Sequence, residues 1–328
     1  MPSPKALLRY GVLLVAAGVL LWLSFRGIDL TSILQQFRDI NYGWLAVSLG
    51  VSVLAFFSRA YRWNLLIEPL GFKPRLRETT DALMVGYLAN LAVPRLGEVS
   101  RCGALARTSR VPFEQLIGTV IVERLIDVLS LGGCLLLTAW IGHERLGHFL
   151  WDLIVNPIRL RLATFSGAQQ LTAGMVLVAL LVMAIVWWKR RSGKQDKLSH
   201  ILLGVGRGFR TVLSLQRKGD FLFHSIFIWF MYFLMSYTCF KALPASADLG
   251  WQAGLFVLVV GGMGMSAPVQ GGIGAYHLLV SRGLLLYGLT TESGLAFATL
   301  MHTSQTLLVV VMGLLAMFSL SFLKPSAP

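Results

Sequence analysis

At 328 residues, 55% apolar and 13% charged, the chain is too poor in charge for a soluble globular domain, which carries roughly 25%. Its formal net charge of +14 would suggest nucleic acid in a soluble protein. Here the Lys and Arg residues stand between long apolar runs, so contact with anionic lipid headgroups explains the charge and nucleic acid is excluded as a partner. Cys102, Cys134 and Cys239 show no CxxC spacing and are odd in number, which excludes a disulfide framework and leaves them as packing residues.

Crossing ~30 Å of hydrocarbon takes about 20 apolar residues. The first run, Leu7–Phe25, begins beside Lys5 and Arg9, exceeds a signal-peptide core and lacks an A-x-A cleavage site, so it is expected to stay as an anchor. Tyr42–Phe57 is short, and Arg59 and Trp63 near its end are expected to anchor it at the interface. An apolar stretch from Thr79 to Arg107 follows, interrupted at Pro94. Gln115–Ile141, Leu171–Trp188 and Phe221–Leu243 read as further spans. A second interrupted stretch runs from Trp251 through Pro268 to Tyr287, and Gly294–Phe322 is the last span.

Lys and Arg set the orientation. Segment 189–220 holds nine of them and segment 59–78 holds five, so both are expected in the cytoplasm. The stretch 79–110 is basic at both ends and is expected to enter and leave from the cytoplasm, as a re-entrant hairpin turning near Pro94–Gly97. By the same logic 251–290 dips in from outside, turning near Pro268–Gly274, and both termini are cytoplasmic. The predicted architecture is one all-α integral membrane domain, 1–328, of about six transmembrane helices plus two re-entrant helical hairpins. Its inverted halves are approximately 42–141 and 221–322, with a cytoplasmic basic loop at 189–220. Inverted repeats with broken helices are the architecture of transporters, whose sites lie at the repeat interface.

The polar residues within these apolar segments carry the chemistry. Asn90, Arg95, Glu98 and Arg101 lie at or near the first hairpin tip, and Glu98 and Arg101, three apart, can pair. The break at Pro94–Gly97 begins a half-helix whose N–H groups suit an anion, and Arg95 adds a forked donor suited to phosphate. In the next span, Glu123, Arg124 and Asp127 sit in apolar surroundings, where each costs about 3 kcal/mol on insertion scales. Arg124 and Asp127 can neutralise each other, whereas Glu123 needs another cation, for which Arg95, Arg101 or Arg59 is the candidate. Intramembrane charges are functional candidates by default. In the second hairpin Gly271, Gly272 and Gly274 flank the Pro268 break and permit close helix approach. Gln270, Tyr276 and His277 are its polar groups, and His302 and Gln305 on the last span can face the same cavity. No Walker A, HExxH or GxSxG motif occurs, and His143 and His148 lack the pattern of a zinc site, so neither a cofactor nor a metal is expected.

The segments RAYRW (59–63), NLAVPRLGEVSR (90–101), VERLID (122–127) and PVQGGIGAYH (268–277) resemble the transmembrane flippase-like region of bacterial lysylphosphatidylglycerol synthases and the stand-alone proteins sharing it. The resemblance implies movement of an anionic, aminoacylated or polyprenyl-phosphate-linked lipid between leaflets of the cytoplasmic (inner) membrane. Two departures stand out. Gln270 and His277 occupy positions where relatives often have Gly and Glu, and the chain ends at Pro328 with no aminoacyl-transferase domain, so aminoacylation is not expected of it. Membrane phospholipids or a lipid-linked substrate are the expected partners, and a second copy of the chain and a separate lipid-modifying enzyme are admitted beside them. The rival readings are a membrane enzyme of lipid-linked sugar or isoprenoid-lipid metabolism, and a non-catalytic partner of a lipid-modifying enzyme.

Overall fold

A computed structural model describes residues 4–151, 156, 159 and 215–322. The expected span Leu171–Trp188 and nearly all of the basic loop 189–220 lie outside the described residues. Among those described, secondary structure is helical without strands. The chain divides into a main compact unit, 1–141 with 212–328, and a second unit, 142–211. The candidate site described below belongs to the main unit.

Helix α1 (Pro4–Phe25) is followed by a short amphipathic helix α2 (Leu30–Arg38) that the hydropathy pattern did not signal. Asp29 caps α2 by accepting from the Thr31 backbone N–H, a bond that holds its carboxyl below the usual carboxylate range. Asn41 caps α3 (Tyr42–Ile67) through the Trp44 N–H. Helices α4 (Leu76–Ala92) and α5 (Leu96–Ser109) form the first hairpin. A long helix α6 (Phe113–Leu150) kinks at Gly142. Then come α7 (Lys218–Phe240), the second hairpin of α8 (Trp251–Ser266) and α9 (Ala275–Leu285), and α10 (Thr291–Phe322).

Among the described residues, α3 with its 3₁₀ extension, α7 and α10 are long and apolar enough to cross a membrane. The hairpin arms are not: at about 1.5 Å per residue, α4, α5, α8 and α9 reach roughly 16–26 Å. Glycine lets each pair of arms close. At Gly97 a Cβ would run into the Gly86 carbonyl oxygen and meet Asn90 at 2.5 Å; at Gly264 it would lie 2.8 Å from the Tyr276 backbone. The pairing of Gly86 with Arg101 and of Asn90 with Gly97 converges on the tip, so the arms run antiparallel.

Small cores join the elements. Trp63, Cys102, Leu105 and Leu116 unite α3, α5 and α6, while Phe56, Leu83, Met84 and Ala316 unite α3, α4 and α10. Ala17 of α1 packs with Val269 and Ala275 at the second hairpin tip. The outer surface is apolar as well. Leu136, Trp140, Leu315, Phe318 and Phe322 are all more than 60% exposed, as expected where lipid rather than water is the solvent. The chain is an all-α, multi-pass integral membrane protein.

One expectation is corrected here. The second span does not stop at Phe57; α3 is 26 residues long and runs on to Ile67. Arg59 and Trp63 are therefore not interfacial anchors but are 6% and 0% exposed. Their polar groups find partners on other helices, which lets the helix carry them inward.

Candidate functional site

On α3, Arg59 and Arg62 are three residues apart and share a face; on α6, Glu123 and Asp127 are four apart and share another. These faces meet. Arg59 Nη2 donates to Glu123 Oε1 at 2.6 Å and to Asp127 Oδ2 at 2.8 Å. Arg62 Nη2 donates to Asp127 Oδ1 at 2.6 Å and lies 3.7 Å from Glu123 Oε1. From α5, Arg101 Nη1 approaches Glu123 Oε2 at 3.0 Å. Arg124 Nη2 reaches back to Glu98 Oε1 at 2.8 Å.

Four guanidinium groups thus face three carboxylates, leaving one positive charge over. Arg62 and Glu123 are fully buried. Removing one member of such a buried set costs about 3–5 kcal/mol, because its partners stay behind uncompensated. Neutral groups hold the cluster in shape. The Tyr232 hydroxyl of α7 accepts from Arg59 Nη1 at 2.9 Å, and the Arg101 guanidinium lies over the Trp63 ring at 4.6 Å. Trp63 Nε1 in turn donates to Thr119 Oγ1 of α6 at 2.8 Å.

The pairing differs from the sequence expectation in three places. Glu98 and Arg101 do not bind each other. Each binds α6 instead, because Arg101 is turned inward at 3% exposure and Glu98 outward at 27%. Arg124 is not the main partner of Asp127: that contact is 3.8 Å, against 2.6 and 2.8 Å from the two arginines of α3. The start of the α5 half-helix is not open to a ligand at Gly97, whose N–H donates to Asn90 Oδ1 at 2.7 Å. Arg95 caps that helix in a left-handed conformation (φ 67°) and is exposed, with no ion pair among the described residues.

Beside the cluster lies a cavity of about 540 Å³. Arg59, Arg124 and Asp127 supply its charged wall. Asn90 and Tyr87 come from the first hairpin, and Gly271 and Tyr276 from the second. The long helices add Trp229, Tyr232 and Gln305, with apolar side chains filling the rest. The structure therefore gathers Arg59, Asn90, Arg124, Asp127, Gly271 and Tyr276 around one space. Pro94, Arg95, Gly97, Glu98, Arg101, Glu123, Pro268, Gln270, Gly272, Gly274 and His277 are outside its wall.

Some of those outside support the tip of the second hairpin. His302 Nε2 lies 2.8 Å from the Gly271 carbonyl oxygen, and the His277 and His302 rings are 4.9 Å apart. Both histidines are buried. Gly274 sits against the α1 backbone, where Ser24 Oγ donates to its carbonyl at 3.3 Å.

Arg62, Tyr87, Trp229 and Tyr232 were not recognised from the sequence as part of this region. Arg62 did carry a signal, its three-residue spacing from Arg59, but a helix assumed to stop at Phe57 put it in a loop. The aromatic residues carried none, since an aromatic in an apolar helix reads as lipid-facing or core.

Comparison with known proteins bears on this geometry. The chain is 23% identical to the glycosyltransferase AglD of Haloferax volcanii over an alignment 328 positions long, covering 90% of this chain and 51% of that protein. The chain thus spans about half the length of this curated relative. No solved structure matches. The lysylphosphatidylglycerol synthase TM region family matches residues 10–313, across both hairpins, the charged cluster and the cavity, and the chain belongs to that family.

Proposed function

We propose that this protein moves a lipid with a phosphate-bearing headgroup between the leaflets of the cytoplasmic membrane, the headgroup passing through the cavity between the hairpins. One observation carries the reading: a 540 Å³ space, lined by Arg59, Arg124 and Asp127, adjoins a cluster with one surplus positive charge inside a bundle of apolar helices. Moving a charged headgroup through hydrocarbon without substitute hydration is prohibitive. Guanidinium groups fixed at the cavity wall replace that hydration for a phosphate. In this reading the hairpins enter from opposite sides as an inverted pair, and both termini are cytoplasmic.

A second reading has one observation in its favour, the likeness to a glycosyltransferase. On it the chain is the membrane part of a machinery that handles lipid-linked sugars, either reacting with them or holding them for a separate enzyme.

Reconstitution separates the two. In vesicles containing the purified chain, tail-labelled phosphatidylglycerol is expected to change leaflets at least about tenfold faster than in empty vesicles, with no covalent change. The variant Arg124→Gln, at a half-exposed position, is expected to slow this about tenfold while remaining inserted. Chemical conversion of the lipid favours the enzyme, and neither movement nor conversion favours the scaffold.

A further inference from the structure

We propose that the cavity selects a lipid phosphate whose head is uncharged and rich in hydroxyl groups, a polyol or a sugar, and disfavours heads that carry an amino group. This rests on the lipid-moving reading above and names the substrate class within it.

Charge sets an ammonium head apart from a phosphate. An ammonium head needs a carboxylate that is not already taken. Both oxygens of Asp127 accept from arginine, Oδ2 from Arg59 and Oδ1 from Arg62. Glu123 is fully buried and shared between Arg59 and Arg101. Glu98 gives Oε1 to Arg124, and its Oε2, though without a hydrogen-bond partner, is buried and outside the cavity wall. Among the described residues, each carboxylate in or beside the wall already faces a guanidinium. An entering ammonium would therefore meet the surplus positive charge, whereas a phosphate would meet Arg124, which is 42% exposed and gives one nitrogen to Glu98.

The wall also carries neutral donors. Trp229 and Gln305 both belong to the wall, and neither Trp229 Nε1 nor Gln305 Nε2 has a hydrogen-bond partner among the described residues. Asn90, also in the wall, has its Oδ1 engaged by Gly97, which leaves its amide N–H₂ as a donor. Native proteins rarely bury donors without an acceptor, and hydroxyl oxygens of a bound head are acceptors of the right kind. Hydroxyls both donate and accept, so they also suit the phenol groups of Tyr87, Tyr232 and Tyr276 in the same wall.

The aromatic rings admit a rival, since rings can form a cage for a quaternary ammonium. One ring, that of Tyr87, already faces a cation, the Arg59 guanidinium 6.0 Å from its centroid, and the same cation holds the hydroxyl of Tyr232. What remains is a surface of aromatic faces with polar tips, fit for the C–H faces and hydroxyl edges of a polyol. The volume of 540 Å³ falls within the range of roughly 300–1,000 Å³ typical of small-molecule sites.

The experiment uses vesicles containing the full chain and five tail-labelled lipids: phosphatidylinositol, a polyprenyl-phosphate hexose, phosphatidate, lysyl-phosphatidylglycerol and phosphatidylcholine. At least one of the two hydroxyl-rich lipids is expected to change leaflets about tenfold or more faster than the other three, and comparison of those two arms identifies the source of the head. Trp229→Phe and Gln305→Leu are each expected to reduce the preference for that lipid over phosphatidate several-fold. Lysyl-phosphatidylglycerol or phosphatidylcholine moving as fast as the best hydroxyl-rich lipid overturns the inference and leaves lipid movement standing. So does equal movement of phosphatidate. Movement of none of the five overturns the inference, and if phosphatidylglycerol is immobile as well it overturns the lipid-moving reading too. If a variant fails to insert, the ranking of lipids by the unaltered chain decides.

Discussion

Glu123 and Arg124 are neighbours in sequence with opposite fates. The Glu123 carboxylate is fully buried and faces Arg59 at 2.6 Å, Arg101 at 3.0 Å and Arg62 at 3.7 Å. The Arg124 side chain is 42% exposed, with one close partner, Glu98. Glu123→Gln keeps the shape but takes away the carboxylate that Arg101 faces and leaves Arg59 and Arg62 with Asp127 alone, a loss expected at about 3–5 kcal/mol. Arg124→Gln breaks an accessible pair and is expected to cost below about 1 kcal/mol. Thermal unfolding of the detergent-solubilised variants measures both, and equal destabilisation would contradict the burial assigned to Glu123. The sequence marked Glu123 as a charge in need of a cation and named Arg59 and Arg101 among the candidates. It did not reveal that Arg62 completes the set, because that depends on how far α3 continues past Phe57.

At the level of elements, the first hairpin shows how small residues decide what can close. Gly97 and Gly86 bring the backbones of α4 and α5 together, and Asn90 bonds across the gap to the Gly97 N–H. Gly97→Ala inserts a methyl group where backbone already stands, and an overpacking loss of about 3 kcal/mol is expected. Gly103, on the same helix, has open space where a Cβ would go. Gly103→Ala is therefore expected to stabilise α5 by about 0.5–1 kcal/mol, through the helix propensity of alanine alone. Urea titration of the two variants in micelles compares them. Opposite signs are expected, and destabilisation by both would mean that the arms meet along another face. The Pro94 break and the run of glycines after Pro268 made both interruptions legible in the sequence. The partners of each arm were not, since the Asn90–Gly97 bond joins residues brought near only once the turn has formed.

For the whole molecule, the remaining expectation is sidedness. If the hairpins enter from opposite faces, Lys73, before α4, lies on the cytoplasmic side and Asp248, before α8, on the outer side. Both residues are exposed. In a chain freed of Cys102, Cys134 and Cys239, Lys73→Cys is expected to react with an impermeant thiol reagent only from the cytoplasmic face, and Asp248→Cys only from the outer face. Labelling of both from one side would end the inverted arrangement. In transporters built this way, broken helices line the site at the interface of the two halves.

Sequence alone determined the solvent of this protein, the existence of its described spans and the two interruptions, though not the end of α3, because hydropathy and Pro/Gly breaks are local properties set by length and composition. It also singled out the intramembrane charges, since their cost is felt wherever they sit in an apolar helix. Which charge meets which was decided only in three dimensions. Glu98 turns to Arg124 and Arg101 to Glu123, and Asp127 is held from α3, because ion pairing acts over a few ångströms between helices far apart in the chain. The cavity arose the same way: its wall draws on α3, both hairpins and the long helices, and the space between them exists only once all of them have packed.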